Sequence, residues 1–187
     1  MGRLIRYADD CVVLCRGNTE RILKGINTVL AYLELTLNEE KTKVVDDRRE
    51  SFNFLGFTIK LVKNPKTGKT FPLIRPSKQA IEHIKAEIRA LTCRKNLGIP
   101  KEVVVEKLNE VVRGWTGYFY YGHCSKDLSR LKGFLDERVR IHLRRKHGMK
   151  SRGYRAFPYR YLYENLGLYK IPTTASWTQV VKASGRR

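Results

Sequence analysis

The sequence predicts an α+β protein in which a small antiparallel sheet with a packed helix is followed by a three-helix bundle. Two observations predict the sheet: short apolar runs flank an acidic pair near the N-terminus, and Phe-rich segments surround a turn-forming stretch at residues 64–68. A third observation predicts the bundle, because apolar residues recur at helical spacing throughout the region beyond Pro76.

The first element is a hairpin whose bend falls at Ala8-Asp9-Asp10, where Asp is at home because its side chain bonds nearby backbone. The flanking apolar runs are long enough to be buried. Adjacent carboxylates beside buried strands repel each other unless a cation lies near, and oxygen ligands favour Mg²⁺. A solvated turn without metal is the alternative interpretation.

A helix beginning at Asn18 or Thr19 follows, and its apolar residues should cover one face of the sheet. Val44 and Val45 predict a short strand. A further strand led by Phe52 should run through Leu61, and residues 57–75 should form a hairpin.

Three helices make up the predicted bundle, the first capped by Ser77, the second spanning residues 101–121 and the third starting at Ser125. A short helix near residues 159–165 and a loose tail after Pro172 complete the chain. The residues expected to face the bundle core are Ala80, Ile81, Ile84, Ile88, Leu91, Val104, Leu108, Val111, Trp115, Phe119, Leu128, Leu131, Leu135, Val139, and His142 or Leu143.

The net charge of +20, from 38 Lys and Arg against 18 Asp and Glu, indicates a polyanionic partner. Most of this excess lies beyond residue 75, and residues 138–187 contain a single acidic residue, Glu164. Nucleic acid is the partner we expect. An anionic membrane surface is the weaker alternative, because no helix pairs its basic residues with a large exposed apolar face.

The cysteine pattern and the N-terminus predict a cytoplasmic protein, and the sequence leaves both a bacterial and an organellar host open. Cys11, Cys15, Cys93 and Cys124 form no C-x-x-C pair, so we expect reduced, mostly buried thiols and no zinc site. No apolar run is long enough to span a membrane, and no signal peptide is recognisable.

Three ordered motifs carry a resemblance to a known family. Tyr-Ala-Asp-Asp at residues 7–10 resembles the palm hairpin of reverse transcriptases, and the segments at residues 37–43 and 54–57 follow at the spacing of that family. The run beginning Arg-Gly-Trp at residue 113 resembles the maturase domain. The match is closest to the reverse transcriptase–maturases encoded in group II introns, and it covers roughly residues 3 to 170.

The resemblance implies a domain division and a set of site residues. Residues 1–75 would be the C-terminal part of the palm, residues 76–170 the helical thumb or maturase domain, and residues 171–187 a basic tail. Asp9 and Asp10 would be catalytic and would bind metal. The residues expected to contact primer or nucleic acid are Tyr7, Lys41, Lys43, Gly56, Lys78, Lys85, Arg89, Arg113, Tyr118, Tyr121, Arg138, Arg144, Arg145 and Lys146.

Structural alternatives stand beside several of these roles. Lys41 and Lys43 suit an exposed helix end as well as phosphate binding. Trp115 and Phe119 are expected in the core. The basic residues at the end of the predicted third helix would also complement the helix dipole. Arg138, Arg144 and Arg145 are nevertheless expected to point outward and to be free to bind phosphates.

The expected function follows from the resemblance and from one departure. A complete reverse transcriptase has fingers and a first palm half, with a further carboxylate, ahead of the Tyr-Ala-Asp-Asp motif, whereas this chain begins six residues before Tyr7. We therefore expect the C-terminal part of an RNA-directed DNA polymerase, which would be active only together with the N-terminal half of the enzyme. This part would be joined to a domain that binds intron RNA and assists splicing. The alternatives are a non-catalytic RNA-binding splicing cofactor and an inert remnant of a truncated intron gene.

The expected partners are group II intron RNA, an RNA/DNA duplex, and either a separate N-terminal reverse transcriptase half or a second copy. Mg²⁺ is expected only in an assembled polymerase site, and no membrane partner is expected.

Overall fold

The computed structural model describes residues 2–38 and 42–174. The chain divides into two compact units. The N-terminal unit comprises Met1–Leu55 and Ile59–Pro72, and the helical unit comprises Gly56–Thr58 and Leu73–Arg187.

The N-terminal unit begins with the predicted hairpin. Strand β1 (Gly2–Tyr7) pairs antiparallel with β2 (Asp10–Cys15), and the register places Tyr7 opposite Asp10. Ala8 and Asp9 form the two-residue connection, where Ala8 has a φ of 52°. Positive φ is uncommon outside glycine, and Arg6 Nε donates to the Ala8 carbonyl at 2.8 Å, which ties the bend to β1.

Helix α1 (Thr19–Tyr32) starts where the sequence predicts, because Asn18 Oδ1 accepts a hydrogen bond from the Arg21 amide at 3.1 Å. The helix approaches the hairpin at Ile22, whose Cδ1 would lie 3.5 Å from a Cβ added to Gly2. No described residue of the hairpin or of α1 is fully buried, and Leu4 is 62% exposed. The predicted burial of the hairpin is therefore wrong: two strands and one helix are too few to enclose a core.

A second sheet has the strand order β3 (Phe52–Phe54), β4 (Phe57–Lys63), β5 (Thr70–Pro76). The predicted single strand from Phe52 to Leu61 is wrong, because Leu55 and Gly56 form a turn with φ values of 49° and 77°. Two positive φ values are typical of a tight hairpin turn. The predicted short strand at residues 44–45 is also wrong, since both residues lie in irregular structure.

The β4–β5 hairpin is confirmed. Its turn is stabilised by Asn64, whose Oδ1 accepts from the Lys66 amide at 2.9 Å and whose carbonyl accepts from the Gly68 amide at 2.9 Å.

The three-helix bundle is confirmed in the helical unit, which contains α2 (Lys78–Leu91), α3 (Lys101–Phe119) and α4 (Ser125–Lys146). Ser77 caps α2 as predicted, since its Oγ accepts from the Ala80 amide at 3.1 Å. A 3-10 turn (Arg94–Gly98) connects α2 to α3, and a π-helical segment (Tyr161–Asn165) occupies the place of the predicted short C-terminal helix.

The bundle core consists of apolar residues at helical spacing, and each fully buried leucine or isoleucine stabilises the fold by about 1.5–3 kcal/mol. His142 and Leu143 are both buried, so the predicted alternative between them is resolved in favour of both. The segment after α4 completes the core with Phe157, Leu162, Leu168 and Ile171. The buried apolar residues from the helices are Ile84, Ile88, Val104, Val105, Leu108, Val112, Phe119, Leu128, Leu131, Leu135, Val139 and Leu143.

All four cysteines are free thiols. Cys124 is buried, Cys15 and Cys93 are partly buried, and Cys11 is exposed, so the prediction of mostly buried thiols holds fully only for Cys124. Within residues 2–38 and 42–174, no helix has both the length and the apolar character needed to cross a membrane.

Candidate functional site

The acidic turn is open to solvent. Asp9 occupies the second turn position, Asp10 begins β2, and both side chains are exposed beside Tyr7, which is 66% exposed. The desolvation expected for a buried acidic pair is therefore absent. Carboxylate oxygens suit Mg²⁺, but among the described residues no group of three or more His, Cys, Asp or Glu side chains could hold a metal. Two carboxylates alone leave a metal site incomplete, so no catalytic step follows from them.

The two lysines expected near the palm have different outcomes. Lys41 lies outside the described residues, whereas Lys43 is exposed in irregular structure. The segment is held locally by Thr42, whose amide and Oγ1 both donate to the Asn38 carbonyl, at 2.9 and 2.7 Å. Phosphate binding by Lys43 stays a prediction.

Gly56 has two structural reasons to be glycine. Its φ of 77° favours glycine, and an added Cβ would lie 3.0 Å from Cζ of Phe119. The neighbouring Phe57 packs on the same helix, with ring centroids 5.0 Å from Phe119 and 5.7 Å from Tyr118. The fold thus brings two of the motifs together through aromatic contacts, while a contact between the exposed Gly56 and nucleic acid stays a prediction.

The aromatic residues of α3 and of the segment directly after it divide as predicted into inner and outer ones. Phe119 is buried and Trp115 packs against the core, with the two ring centroids 4.5 Å apart. Tyr118 and Tyr121 each expose more than half of their surface.

Arg113 is exposed but has an intramolecular neighbour. Its Cζ lies 5.3 Å from the ring centroid of Tyr169, in a C-terminal segment that is tied to α3 by Asn109. Asn109 Nδ2 donates to the Gly167 carbonyl at 2.8 Å, and the Tyr169 amide donates to Asn109 Oδ1 at 2.7 Å. A cation–π contact of this kind leaves the outer donors of the guanidinium accessible.

The three cations expected on α2 are not equivalent. Lys85 Nζ donates to Glu82 Oε1 at 2.9 Å, and Arg89 lies over the Phe134 ring with its Cζ 5.1 Å from the centroid. Lys78 is exposed at the first position of α2, and its side chain forms no hydrogen bond or ion pair within the described part of the chain.

Two basic side chains of α4 form hydrogen bonds to other parts of the helical unit. Arg138 Nε donates to Thr92 Oγ1 at 3.0 Å and its Nη2 to the Thr92 carbonyl at 3.3 Å, so this side chain caps the C-terminal end of α2. Lys146 Nζ donates to the carbonyls of Leu97 and Ile99, both at 2.7 Å, and so secures the connection between α2 and α3.

The expectation that Arg138, Arg144 and Arg145 are all free is therefore wrong for two of the three. Arg138 is committed to Thr92, and Arg144 Nη1 donates to the Ser151 carbonyl at 3.3 Å. The side chain of Arg145 forms no hydrogen bond or ion pair in the described ranges, so phosphate binding by this residue stays a prediction.

The structure adds exposed cations that motif reasoning did not single out. They share an exposed side chain and the absence of any ion pair among residues 42–174: Arg94, Lys95, Lys107, Lys126, Arg130, Lys150, Arg152 and Arg155. For Lys107, Lys126 and Arg130, the position off the apolar stripe of the helix is the sequence signal that identifies them.

Comparison with known proteins places both parts of the chain. The model of the reverse transcriptase (RNA-dependent DNA polymerase) family matches residues 2–59. The model of the group II intron, maturase-specific domain matches residues 81–161. The N-terminal part of the chain is thus similar to reverse transcriptases, and its helical part is similar to group II intron maturases.

A curated relative of this chain is the "Uncharacterized 91 kDa protein in cob intron" of Schizosaccharomyces pombe. The two are 24% identical over 137 residues, which is 64% of this chain and 17% of the relative. The resemblance to the family is thereby confirmed. The domain limits at residues 75 and 170 stay predictions.

Proposed function

We propose that the helical unit binds the RNA of a group II intron and assists its splicing. The observation that carries this proposal is that the maturase-specific match, residues 81–161, coincides with a well-packed bundle. Several exposed cations of this bundle, such as Lys107, Lys126 and Arg130, form no ion pair among the described residues. Such cations repel each other unless a polyanion neutralises them, and each phosphate contact releases counterions from the RNA.

The charge argument concerns only the cations that remain once those with partners inside the fold are left out. Arg138 and Lys146 satisfy backbone carbonyls, and Lys132 is paired with Asp136 at 3.0 Å. The remaining exposed cations, such as Lys126 and Arg130 on α4, are available for phosphates. RNA binding by the helical unit is therefore proposed to depend on these outer residues.

Crosslinking tests where the RNA lies. The full chain is irradiated with a structured intron RNA, digested, and the crosslinked peptides are identified by mass spectrometry. We expect crosslinked peptides mainly from residues 73–174. Crosslinks confined to residues 2–38, 42–55 and 59–72 would place the RNA on the N-terminal unit and contradict the proposal.

A second role is proposed for the acidic turn, because it lies within the reverse transcriptase match. Asp9 and Asp10 would contribute carboxylates to a Mg²⁺ site of an RNA-directed DNA polymerase acting on an RNA/DNA duplex. Mg²⁺ would there stabilise the attacking and leaving oxygens of the displacement. Tyr7, exposed beside them, would lie near the primer end.

Two carboxylates leave that site incomplete among the described residues, and we propose that a reverse transcriptase N-terminal half or a second copy of the chain supplies the missing ligands. The exposed apolar residues of the N-terminal unit, among them Leu4, Ile5 and Leu14, support such a partner because burying them would be favourable. The alternatives are a splicing cofactor without catalysis and an inert remnant of a truncated gene. No membrane partner is proposed.

Primer extension separates these possibilities. With template, primer, nucleotides and Mg²⁺, the chain alone is expected to be inactive, and addition of an N-terminal half should produce extension that Asp9→Ala abolishes. Extension by the chain alone would contradict the incomplete site. RNA binding without any extension in the mixture would favour the non-catalytic cofactor, and absence of both would favour the inert remnant.

A further inference from the structure

A layered cluster of aromatic and basic side chains lies on α4 and the segment after it, away from the motifs discussed above. Arg140 Cζ lies 4.6 Å from the ring centroid of Tyr154 and 4.9 Å from that of Tyr159. Lys132 Nζ lies 5.1 Å from the ring centroids of both Tyr159 and Tyr163. The rings of Tyr159 and Tyr163 are close to parallel, with an interplanar angle of 11°.

The inner members of this cluster are held firmly. Arg140 is 2% exposed, donates from Nε to the Phe157 carbonyl at 2.9 Å, and donates from Nη1 to Glu137 Oε2 at 3.4 Å. The Tyr154 hydroxyl donates to the same Glu137 oxygen at 2.8 Å, and this hydrogen bond raises the pKa of Tyr154. The side chain of Tyr154 is therefore oriented before any ligand arrives.

Lys132 and Tyr163 are fixed in the same way through one buried acid. Lys132 Nζ donates to Asp136 Oδ2 at 3.0 Å, and the Tyr163 hydroxyl donates to Asp136 Oδ1 at 2.5 Å. Asp136 is almost completely buried, and desolvation together with this bond raises the pKa of Tyr163 to about 12. Tyr163 thus remains a neutral donor at physiological pH.

The outer rings remain accessible. Tyr154 is 50% exposed and Tyr159 is 55% exposed, although each has a cation within cation–π distance. Preoriented tyrosines supply a large contact area at little cost in conformational entropy. Single-stranded nucleic acid is bound by aromatic rings of this kind, because every base has a face that can stack.

The surroundings of the two rings are basic. Lys150, Arg152 and Arg155 are exposed and form no ion pair in the part of the chain that the structure describes. The charge of Arg152 is close enough to act on the pKa of the Tyr154 hydroxyl. The internal cations are balanced by Asp136 and Glu137, so the outer ones supply the attraction for phosphates.

We propose that Tyr154 and Tyr159 form a stacking platform for unpaired RNA bases, with Arg152 and Arg155 binding the adjoining phosphates. This platform rests on the proposed RNA-binding function and specifies it, since it selects single-stranded segments over duplex. A stacked base releases few counterions, so the platform contributes affinity for single strands without a matching change in salt dependence.

Affinity measurements with two probes test the platform. The full chain is titrated into a fluorescein-labelled oligouridylate and, separately, into a blunt RNA duplex of the same length at the same salt concentration. Tyr159→Ala is expected to weaken oligouridylate binding about 5- to 150-fold while leaving duplex binding nearly unchanged. Tyr159→Phe keeps the ring and should bind like the unaltered chain.

Tyr32→Ala is the matched control, because Tyr32 is an exposed tyrosine of α1 in the N-terminal unit and should be neutral in both titrations. Circular dichroism reports whether each variant folds. Unchanged oligouridylate affinity in folded Tyr154→Ala and Tyr159→Ala, or equal losses for both probes, would overturn the platform alone. Failure of the unaltered chain to bind either probe would overturn the proposed RNA binding as well.

A readout that needs no variant accompanies these titrations. Oligouridylate carrying 4-thiouridine is crosslinked to the unaltered chain, and the attached residues are identified by mass spectrometry. Adducts on Tyr154 or Tyr159 are expected, whereas adducts found only at other residues would overturn the platform.

Discussion

Two arginines on the same helix should separate folding from RNA binding. Arg138 caps the C-terminal end of α2 through two hydrogen bonds to the buried Thr92, whereas Arg145 has no such bond among the described residues. Arg138→Gln should lower the free energy of unfolding by about 1–3 kcal/mol, because it removes hydrogen bonds from a charged donor to buried acceptors. Arg145→Gln should change it by less than about 0.5 kcal/mol.

For RNA binding we expect the opposite order, with a larger effect of Arg145→Gln than of Arg138→Gln. If Arg145 contacts a phosphate, its loss removes one released counterion, and the slope of log K against log salt concentration should flatten by about 0.7 to 0.9. Arg138→Gln should leave the slope unchanged as long as the variant is folded. Arg144→Gln should flatten the slope by an intermediate amount, since one nitrogen of Arg144 donates a hydrogen bond to the Ser151 carbonyl.

Urea denaturation and a salt titration of RNA affinity measure the two quantities on the same preparations. An unchanged slope for folded Arg145→Gln would refute the assignment of this residue to phosphate. A flattened slope for folded Arg138→Gln would refute the inference that Arg138 acts only within the fold.

Two further expectations concern stability. Burial, together with the nearby cations of α4, lowers the pKa of His142, so the folded state binds fewer protons than the unfolded state. The contribution of His142 to the free energy of unfolding should therefore be fully present above the unfolded pKa near 6.5. It should decrease as the pH falls below that value, by at most about 1.4 kcal/mol per pH unit. Denaturation of the unaltered chain and of His142→Gln between pH 7.5 and 5 should show this dependence only in the former. Gly122→Ala should destabilise the chain by more than Gly148→Ala does, because both glycines have φ above 60° but only at Gly122 would a Cβ meet the Ile74 carbonyl oxygen, at 2.6 Å. Equal losses for the two alanine variants in urea denaturation would contradict the steric argument.

The bundle could be predicted from the sequence because its apolar residues keep one helical spacing over each helix. Ile84 and Ile88 on α2 and Leu131 and Leu135 on α4 are buried where this spacing places them. Local capping chemistry was equally informative: Asn18 and Ser77 both accept the amide hydrogen bonds that their positions predicted.

The sheets were harder to predict, since the limits and the burial of their strands depend on contacts with elements that are distant in the sequence. Leu55-Gly56 lacks the Asn-Gly or Asp-Gly signature of a two-residue turn, so the division of the predicted strand was missed. The apolar alternation of β1 and β2 indicated burial, but burial also needs elements that cover the strands, and Leu4 remains exposed.

The basic residues show the limit of motif reasoning about the site. The partner of Arg138 is Thr92, 46 residues earlier, and the carbonyls bound by Lys146 are 49 and 47 residues away. Spacing on one helix identifies an outward direction but not a carbonyl supplied by a distant segment. Composition gave the excess of positive charge, whereas only the packed structure distinguishes committed cations from available ones.

The most direct test of the account is the salt dependence of RNA binding by the unaltered chain. Affinity for a structured group II intron RNA is measured at several salt concentrations between about 50 and 200 mM, where a protein making six to ten phosphate contacts loses roughly 10³- to 10⁵-fold in affinity. The account predicts a steep loss of this kind, carried by the outer cations of the helical unit. Binding that is absent at low salt, or that does not change with salt, would contradict it.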